Sequence, residues 1–389
     1  MTSPTLRNAS GKPGSSVSTR PSAPEVTNIP SEYPAFWRKL FLLLGRVNPQ
    51  NLTVTKSLVV GVDAGATSTR VSVHTLDGTR VGYARAGAGN PSAHGLDKAV
   101  AAVGTALGHA LGSHDGGQVV ASLAGVAGQV ETLVPELARV WAAHGVQDGP
   151  RIERDVAVAY AAGTPEPDGS LLLSGTGAVA ARVTGHRIHT IADGLGWLLG
   201  DEGSGFWIGR AAAKAVVASL DQGATAAPGS LIALVVGHFL GEERPGSPRA
   251  VADRLVRLAQ ADHMRLAALS ALVSEAAEAG DPMALKVADE AADRLVATLR
   301  RVHVAGDVVL AGSVLTSEGP VRRAVLARLA GERVTTARDA AGAAAWLAAR
   351  EALPRDDGRA SHAAFTESPS AFTESPSAFT DGPSGGLTG

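Results

Sequence analysis

Three aspartates stand where an acid is costly unless it has chemistry to perform. Asp63 closes the apolar run 58–62 and precedes Ala64-Gly65-Ala66-Thr67. A carboxylate there suits a phosphate-bound Mg²⁺, an ion that keeps several waters and needs few protein ligands. Asp also bonds its own turn backbone, so a turn-capping role reads the same. Asp155 ends the strand-like stretch 151–155 and opens a helical run over 156–162. α/β sheets present site residues at the carboxyl ends of their strands. A carboxylate at that point can take the proton of a hydroxyl attacking a γ-phosphate; a plain helix N-cap is the alternative. Asp201 lies in the stretch 193–205 (DGLGWLLGDEGSG), where five glycines surround an apolar Trp-Leu-Leu patch. Carboxylates accept paired hydroxyls, so Asp201 and the loop's backbone suit a polyhydroxylated ligand. Asp201 and Glu202 would also complement the dipole of a helix starting at Ser204.

Two glycine turns must position these acids. The segments 58–73 (LVVGVDAGATSTRVSV) and 171–183 (LLLSGTGAVAARV) read alike: an apolar strand, a tight small-residue turn and a returning strand. Turns so poor in side chains let backbone amides approach an anion, and the threonine hydroxyls add donors. A single such turn is an ordinary hairpin signal. Two suggest a duplicated fold that grips one phosphate chain from both sides. The run 308–314 (VVLAGSV) is a further buried strand entering a glycine-led helix start, suited to a flat nucleoside, though a structural turn has the same sequence.

The bulk numbers narrow the class. The 389 residues carry a formal net charge of -2, which gives no case for nucleic acid or an anionic membrane. With no cysteine, disulfides, thiolate zinc sites, Fe–S clusters and cysteine nucleophiles are excluded. That composition fits a reducing cytoplasm. The eleven histidines form no HxxxH or HExxH pair, and neither Walker A nor GxGxxG occurs. No apolar run nears the about 18 residues of a membrane span.

Along the chain, residues 1–56 read as an extension: a Ser/Pro/Thr/Gly-rich start expected to be disordered, then a short amphipathic helix over 34–47. An α/β lobe follows over 57–160: three antiparallel strands, then strand–helix repeats. The same order restarts at Ser170, giving a second lobe over 161–339, and a closing helix over 340–353 returns to the first. The expected architecture is thus two-lobed α/β with a cleft between duplicated halves. Residues 354–389 end in AFTESPS, AFTESPS and AFTDGPS, a seven-residue repeat with a proline in each copy. Proline forbids a continuous helix, so the tail is expected to be disordered.

These segments, in this order, resemble the sugar kinase, chaperone and actin superfamily with its ribonuclease H-like fold, and are similar in particular to the BadF/BadG/BcrA/BcrD ATPase family, which includes N-acetylglucosamine kinase. GVDAGATSTR and LLLSGTGAVA look like that family's phosphate motifs, VLAGSV like its adenosine motif, and GLGWLLGDEGSGFWIGR like the sugar loop. The resemblance implies ATP and Mg²⁺ as cofactors and an amino sugar as substrate. It implies Gly65, Thr67, Gly175, Thr176 and Gly177 at the ATP phosphates, with Gly312 and Ser313 at the nucleoside. It further implies Asn90, Gly194, Leu195, Gly196 and Asp201 at the sugar, Asp155 as catalytic acid–base group and Asp63 near the metal. The absence of cysteine separates the chain from Fe–S dehydratase activators and zinc-containing glucokinases. Kinases for glucosamine or N-acetylmuramic acid, a partner-activating ATPase and a non-catalytic sugar sensor remain alternatives, and a homodimer stays open.

Overall fold

The structure, a computed structural model, describes residues 57–128, 133–352 and 362–367, all within one compact unit, Val54–Gly389. The amphipathic segment expected over 34–47, the Ser/Pro-rich start and the second and third tail repeats lie outside the described residues.

Two five-stranded mixed sheets carry the fold. In the first, β1 (Leu58–Ala64), β2 (Thr69–Thr75) and β3 (Arg80–Ala86) form an antiparallel meander. β4 (Val119–Val126) and β5 (Arg151–Arg154) extend it in parallel on the other side of β1, giving the order β3-β2-β1-β4-β5. The second sheet repeats the plan. β6 (Gly169–Ser174), β7 (Ala178–Thr184) and β8 (Arg187–Asp193) form its meander, with β9 (Asp307–Ala311) and β10 (Val334–Thr336) parallel beyond β6. Its order, read from the other edge, is β8-β7-β6-β9-β10. One topology used twice, with the same directions at every pairing, is the duplication that the paired glycine turns suggested.

The halves differ in their crossovers. In the first, α1 (Pro91–His94) and α2 (Leu96–Leu111) precede β4, and α3 (Leu133–Ala143) precedes β5. In the second, five helices separate β8 from β9: α5 (Gly205–Asp221), α6 (Leu231–Leu240), α7 (Pro248–Ala261), α8 (Arg265–Glu278) and α9 (Pro282–Arg300). Their shared core includes Phe206, Val216, Leu269 and Leu295. Side chains alternate across β1: Val60 and Val62 pack against α2 and α3, whereas Val59 faces the opposite layer.

That opposite layer joins the halves. α4 (Asp155–Ala161), directly after β5, sends Val156 and Tyr160 onto the second sheet. α10 (Ser313–Thr316) and α11 (Pro320–Arg328) lead to β10, after which α12 (Ala340–Ala352) crosses back to cover Val59 and Leu123 of the first sheet. The alanine-rich face of α12 lets it lie unusually close: a Cβ built on Gly61 would stand 2.0 Å from the Ala341 carbonyl oxygen.

One expectation is overturned. Within the tail read as disordered over 354–389, residues 362–367 are ordered and docked: α13 (His362–Thr366) buries Phe365 completely and Thr366 almost so. The prolines of the repeat exclude only a continuous helix; a single turn ends before Pro369, and Phe365 gives it an apolar anchor.

Candidate active site

The first glycine turn joins β1 to β2. The Gly65 amide donates to the Ser68 carbonyl at 3.0 Å, and the tip leaves Ala66 and Thr67 exposed. A Cβ on Gly65 would meet only the Ser68 carbonyl, at 3.4 Å, so the backbone here has an open face. Two unanticipated neighbours fix the turn. His94 Nε2 lies 2.9 Å from the Ala66 carbonyl oxygen, and the Gly89 amide donates to the Gly65 carbonyl at 3.0 Å. Gly89 must be glycine, because a Cβ would fall 2.4 Å from Thr69 Oγ1. Asn90 follows; its Oδ1 accepts the Ser92 amide at 2.9 Å and lies 2.7 Å from where a Gly128 Cβ would be. Asn90 thus sits between the first turn and the exit of β4.

Asp63, on β1, pairs across the sheet with Arg70 of β2, Oδ2 to guanidinium at 3.1 Å. Burial pushes its carboxyl upward, and the Arg70 charge opposes the shift. Asp155 opens α4, where its Oδ1 accepts the Val156 amide at 2.9 Å. Burial raises the Asp155 carboxyl to about 6, and the negative charge of Asp63 adds to the rise. The two acids therefore share one electrostatic environment. Gly125 of β4 stands in register beside Asp63 and contributes no side chain.

The second turn, after β6, closes by the Gly175 amide on the Gly177 carbonyl at 2.9 Å and leaves Thr176 exposed. The start of α5 is fastened to it: Gly205 donates to the Gly175 carbonyl at 2.7 Å and Phe206 to the Thr176 carbonyl at 3.3 Å. Gly312, at φ 81°, ends β9 so near β6 that a Cβ would lie 2.3 Å from the Ser174 carbonyl oxygen. Ser313 is exposed at the start of α10. Gly175, Thr176, Gly177, Gly312 and Ser313 are thus brought to one edge of the second sheet.

The 193–205 loop is closed by an aspartate absent from the expected site. The two Asp193 carboxylate oxygens accept the amides of Asp201 and Glu202, each at 2.8 Å, tying the loop's first residue to its last turn. Asp193 and Asp201 both adopt left-handed φ, 66° and 54°, unusual for residues with a side chain. The Asp201 carboxylate lies beside the second glycine turn, 2.8 Å from where a Gly177 Cβ would stand. Burial raises this carboxyl, opposed by the amides of Ala178 and Gly196. Between these anchors Gly194, Leu195 and Gly196 are exposed, as are Leu198 and Leu199. Trp197 is held by stacking on His263, centroids 4.5 Å apart. No hydrogen bond or ion pair joins Asp155 to the 194–196 segment among the described residues.

Two halves with one sheet order, each headed by a glycine turn, define the actin- and hexokinase-type α/β fold. The model of the BadF/BadG/BcrA/BcrD ATPase family matches residues 60–349, and the chain belongs to this family. Among solved structures it is similar to a candidate N-acetylglucosamine kinase from Chromobacterium violaceum, at 24% identity and a TM-score of 0.57, over 75% of this chain and 98% of that one. A candidate N-acetylglucosamine kinase from Porphyromonas gingivalis is similar at 19% identity and a TM-score of 0.53, over 72% of this chain and 93% of that one. At these identities the likeness is one of fold.

Membership in an ATPase family implies ATP binding, and the residues present fit it. Gly65 and Gly175 open onto free space, the nearest atoms to a Cβ on Gly175 lying 3.9 Å away. The hydroxyl-bearing residues Thr67, Thr176 and Ser313 are all exposed beside these backbones. Among the described residues no helix is long and apolar enough to cross a membrane.

Proposed function

We propose that the chain is an ATP-dependent kinase that phosphorylates the 6-hydroxyl of N-acetylglucosamine. The observation that carries this reading is Asp155: a half-buried carboxyl raised to about 6, at the carboxyl end of β5 and within the field of the Asp63 charge. Such a group is ionised at neutral pH yet basic enough to take a hydroxyl proton in the transition state. As the sugar oxygen bonds to the γ-phosphorus, the proton passes to Asp155, the bond to the β–γ bridging oxygen breaks and ADP leaves. Thr67 and Thr176 donate to the phosphates from the two glycine turns, and Ser313 and Gly312 flank the nucleoside. Asn90, the Gly194–Leu195–Gly196 segment and Asp201 bind the sugar, Asp201 from its place beside the second turn. Asp63, a carboxylate on β1, would hold Mg²⁺ through water, and the ion would supply charge stabilisation to the transferred group. ATP supply places the reaction in the cytoplasm.

ATP consumption measured against N-acetylglucosamine, glucosamine, N-acetylmuramic acid and glucose tests the reading. N-acetylglucosamine is expected to give the highest kcat/KM, with phosphate on its 6-oxygen. ATP hydrolysis that ignores every sugar would replace the kinase by a partner-activating ATPase, and sugar binding without turnover would make it a sensor.

The shared electrostatics of the two acids give a second expected result. Activity should fall as pH drops through about 6, where Asp155 becomes protonated. Because the Asp63 charge raises Asp155, Asp63→Asn should move that acid limb to lower pH in the profile of kcat/KM. A limb that stays in place would remove Asp155 from the role of base, or Asp63 from its neighbourhood.

A further inference from the structure

The docked tail segment is held by a socket that reads sequence. The Phe365 ring is wholly buried and stacks on His74 of β2, centroids 4.7 Å apart. His74 is itself fixed, with Nε2 2.7 Å from Ser72 Oγ and Nδ1 2.9 Å from the Gly78 carbonyl oxygen. Gly78, at φ 95°, forms the floor: a Cβ there would lie 2.9 Å from the Ala364 Cβ and 3.2 Å from the Phe365 ring. A Cβ on Gly342 of α12 would stand 2.0 Å from the Phe365 carbonyl oxygen, so peptide and helix backbones touch.

Polar groups read the peptide backbone. Arg80, ion-paired with Asp339, donates to the carbonyls of Phe365 at 3.3 Å and Glu367 at 2.9 Å. The Asp339 amide donates to the Thr366 carbonyl at 3.3 Å. Apart from His362, whose Nε2 lies 2.7 Å from the Ala161 carbonyl oxygen, every one of these partners belongs to Ala364-Phe365-Thr366-Glu367. Those four residues recur unchanged as Ala371-Phe372-Thr373-Glu374.

We propose that this socket is a recognition site for an Ala-Phe-Thr-Glu peptide, and that the second repeat of the same chain, Ala371 to Ser377, is its competing occupant. A shift by one repeat keeps the small residue over Gly78, the phenylalanine on His74 and the carbonyls on Arg80 and Asp339. It places Pro369 where His362 stands, at the first position of the helical turn, where proline is tolerated. The shifted register lacks the hydrogen bond to Ala161 and the edge-on contact of His362 with Trp346, so the first repeat is the preferred occupant. Lengthening the connection by one repeat adds little to its closure cost, which grows only with the logarithm of length. The tail is thus a tether with a spare ligand, able to slip by seven residues without emptying the socket.

Hydrogen exchange at the Asp339 amide in the full chain reads occupancy directly. Phe365→Ala is expected to accelerate exchange by no more than about tenfold, because Phe372 takes the place. Phe365→Ala with Phe372→Ala should accelerate it about a hundredfold or more, the scale of losing a buried phenylalanine. A synthetic Ser-Ala-Phe-Thr-Glu-Ser-Pro-Ser peptide should restore protection to the double variant, and its Phe→Ala counterpart should not. If Phe365→Ala alone exchanged as fast as the double variant, slippage would be ruled out. Wild-type protection in the double variant would show that the second repeat is not the occupant. Protection of Phe365→Ala that rose with protein concentration would mean another copy supplies the peptide, and the same-chain assignment would fall.

Discussion

Asp155→Asn should lower kcat by at least about a hundredfold while leaving sugar affinity little changed, and should at the same time stabilise the protein. The two effects share a cause. Burial and the Asp63 charge raise the Asp155 carboxyl from 3.8 to about 6, so its ionised form is disfavoured in the fold. Between those pH values the folded state holds a proton that the unfolded chain has released. The contribution of the protonated acid is complete below about 3.8 and is lost as pH rises through about 6. Asparagine keeps the neutral shape at every pH. At pH 7 the variant should therefore be more stable by on the order of 2 kcal/mol, and the difference should vanish near pH 4. Its amide oxygen can still accept the Val156 amide, so the start of α4 is preserved. Urea denaturation at pH 4 and pH 7, run beside steady-state kinetics, checks both halves. Near-normal kcat would remove Asp155 as base; equal stabilities at pH 7 would remove the desolvation that makes it one.

How legible this was depended on range. The glycine turns, the first two strands of each meander and the starts of the long helices were readable because their signals are local. Asp281, for instance, caps α9 by accepting the Met283 and Ala284 amides, as Gly280-Asp281-Pro282 suggests. β8 was not foreseen: it is an edge strand with a single fully buried residue, Ala192, so its alternation is blurred by exposure. The Asp63–Arg70 pair was available in principle, since a turn closed at Gly65 and Ser68 places those residues opposite each other. The part played by Asp193 was not, because nothing local announces that a carboxylate will accept amides eight and nine residues away. The left-handed Asp201 was equally hidden, as a glycine-rich stretch leads one to expect such φ at the glycines alone. The docked tail failed for a different reason: low-complexity composition argued for disorder, and only the socket built by β2, β3 and α12 gives Phe365 somewhere to go.

The long-range packing that the sequence conceals also yields the largest expected loss of stability, from Gly61→Ala. Gly61 lies in the middle of β1, two residues before Asp63, on the face covered by α12. The added methyl would lie 2.0 Å from the Ala341 carbonyl oxygen and 2.2 Å from the Ala345 nitrogen. Both are backbone atoms of one helix, so no side-chain rotation relieves the clash. Either α12 moves off the sheet or β1 bends away from it. The first opens the layer in which Val59, Leu123, Trp346 and Leu347 pack; the second shifts Asp63 relative to Asp155. Overpacking of this kind costs about 3 kcal/mol where relief is hardest, and in a folded unit of roughly 300 residues that lowers Tm by about 5 °C. Gly87→Ala is the matched control: it leaves the chain's other glycines untouched, and its Cβ would meet nothing within 4 Å. Thermal unfolding should separate the two variants clearly. If Gly61→Ala melted with Gly87→Ala, the close seat of α12 on β1 would be wrong, and with it the path by which the end of the chain supports the strand that carries Asp63.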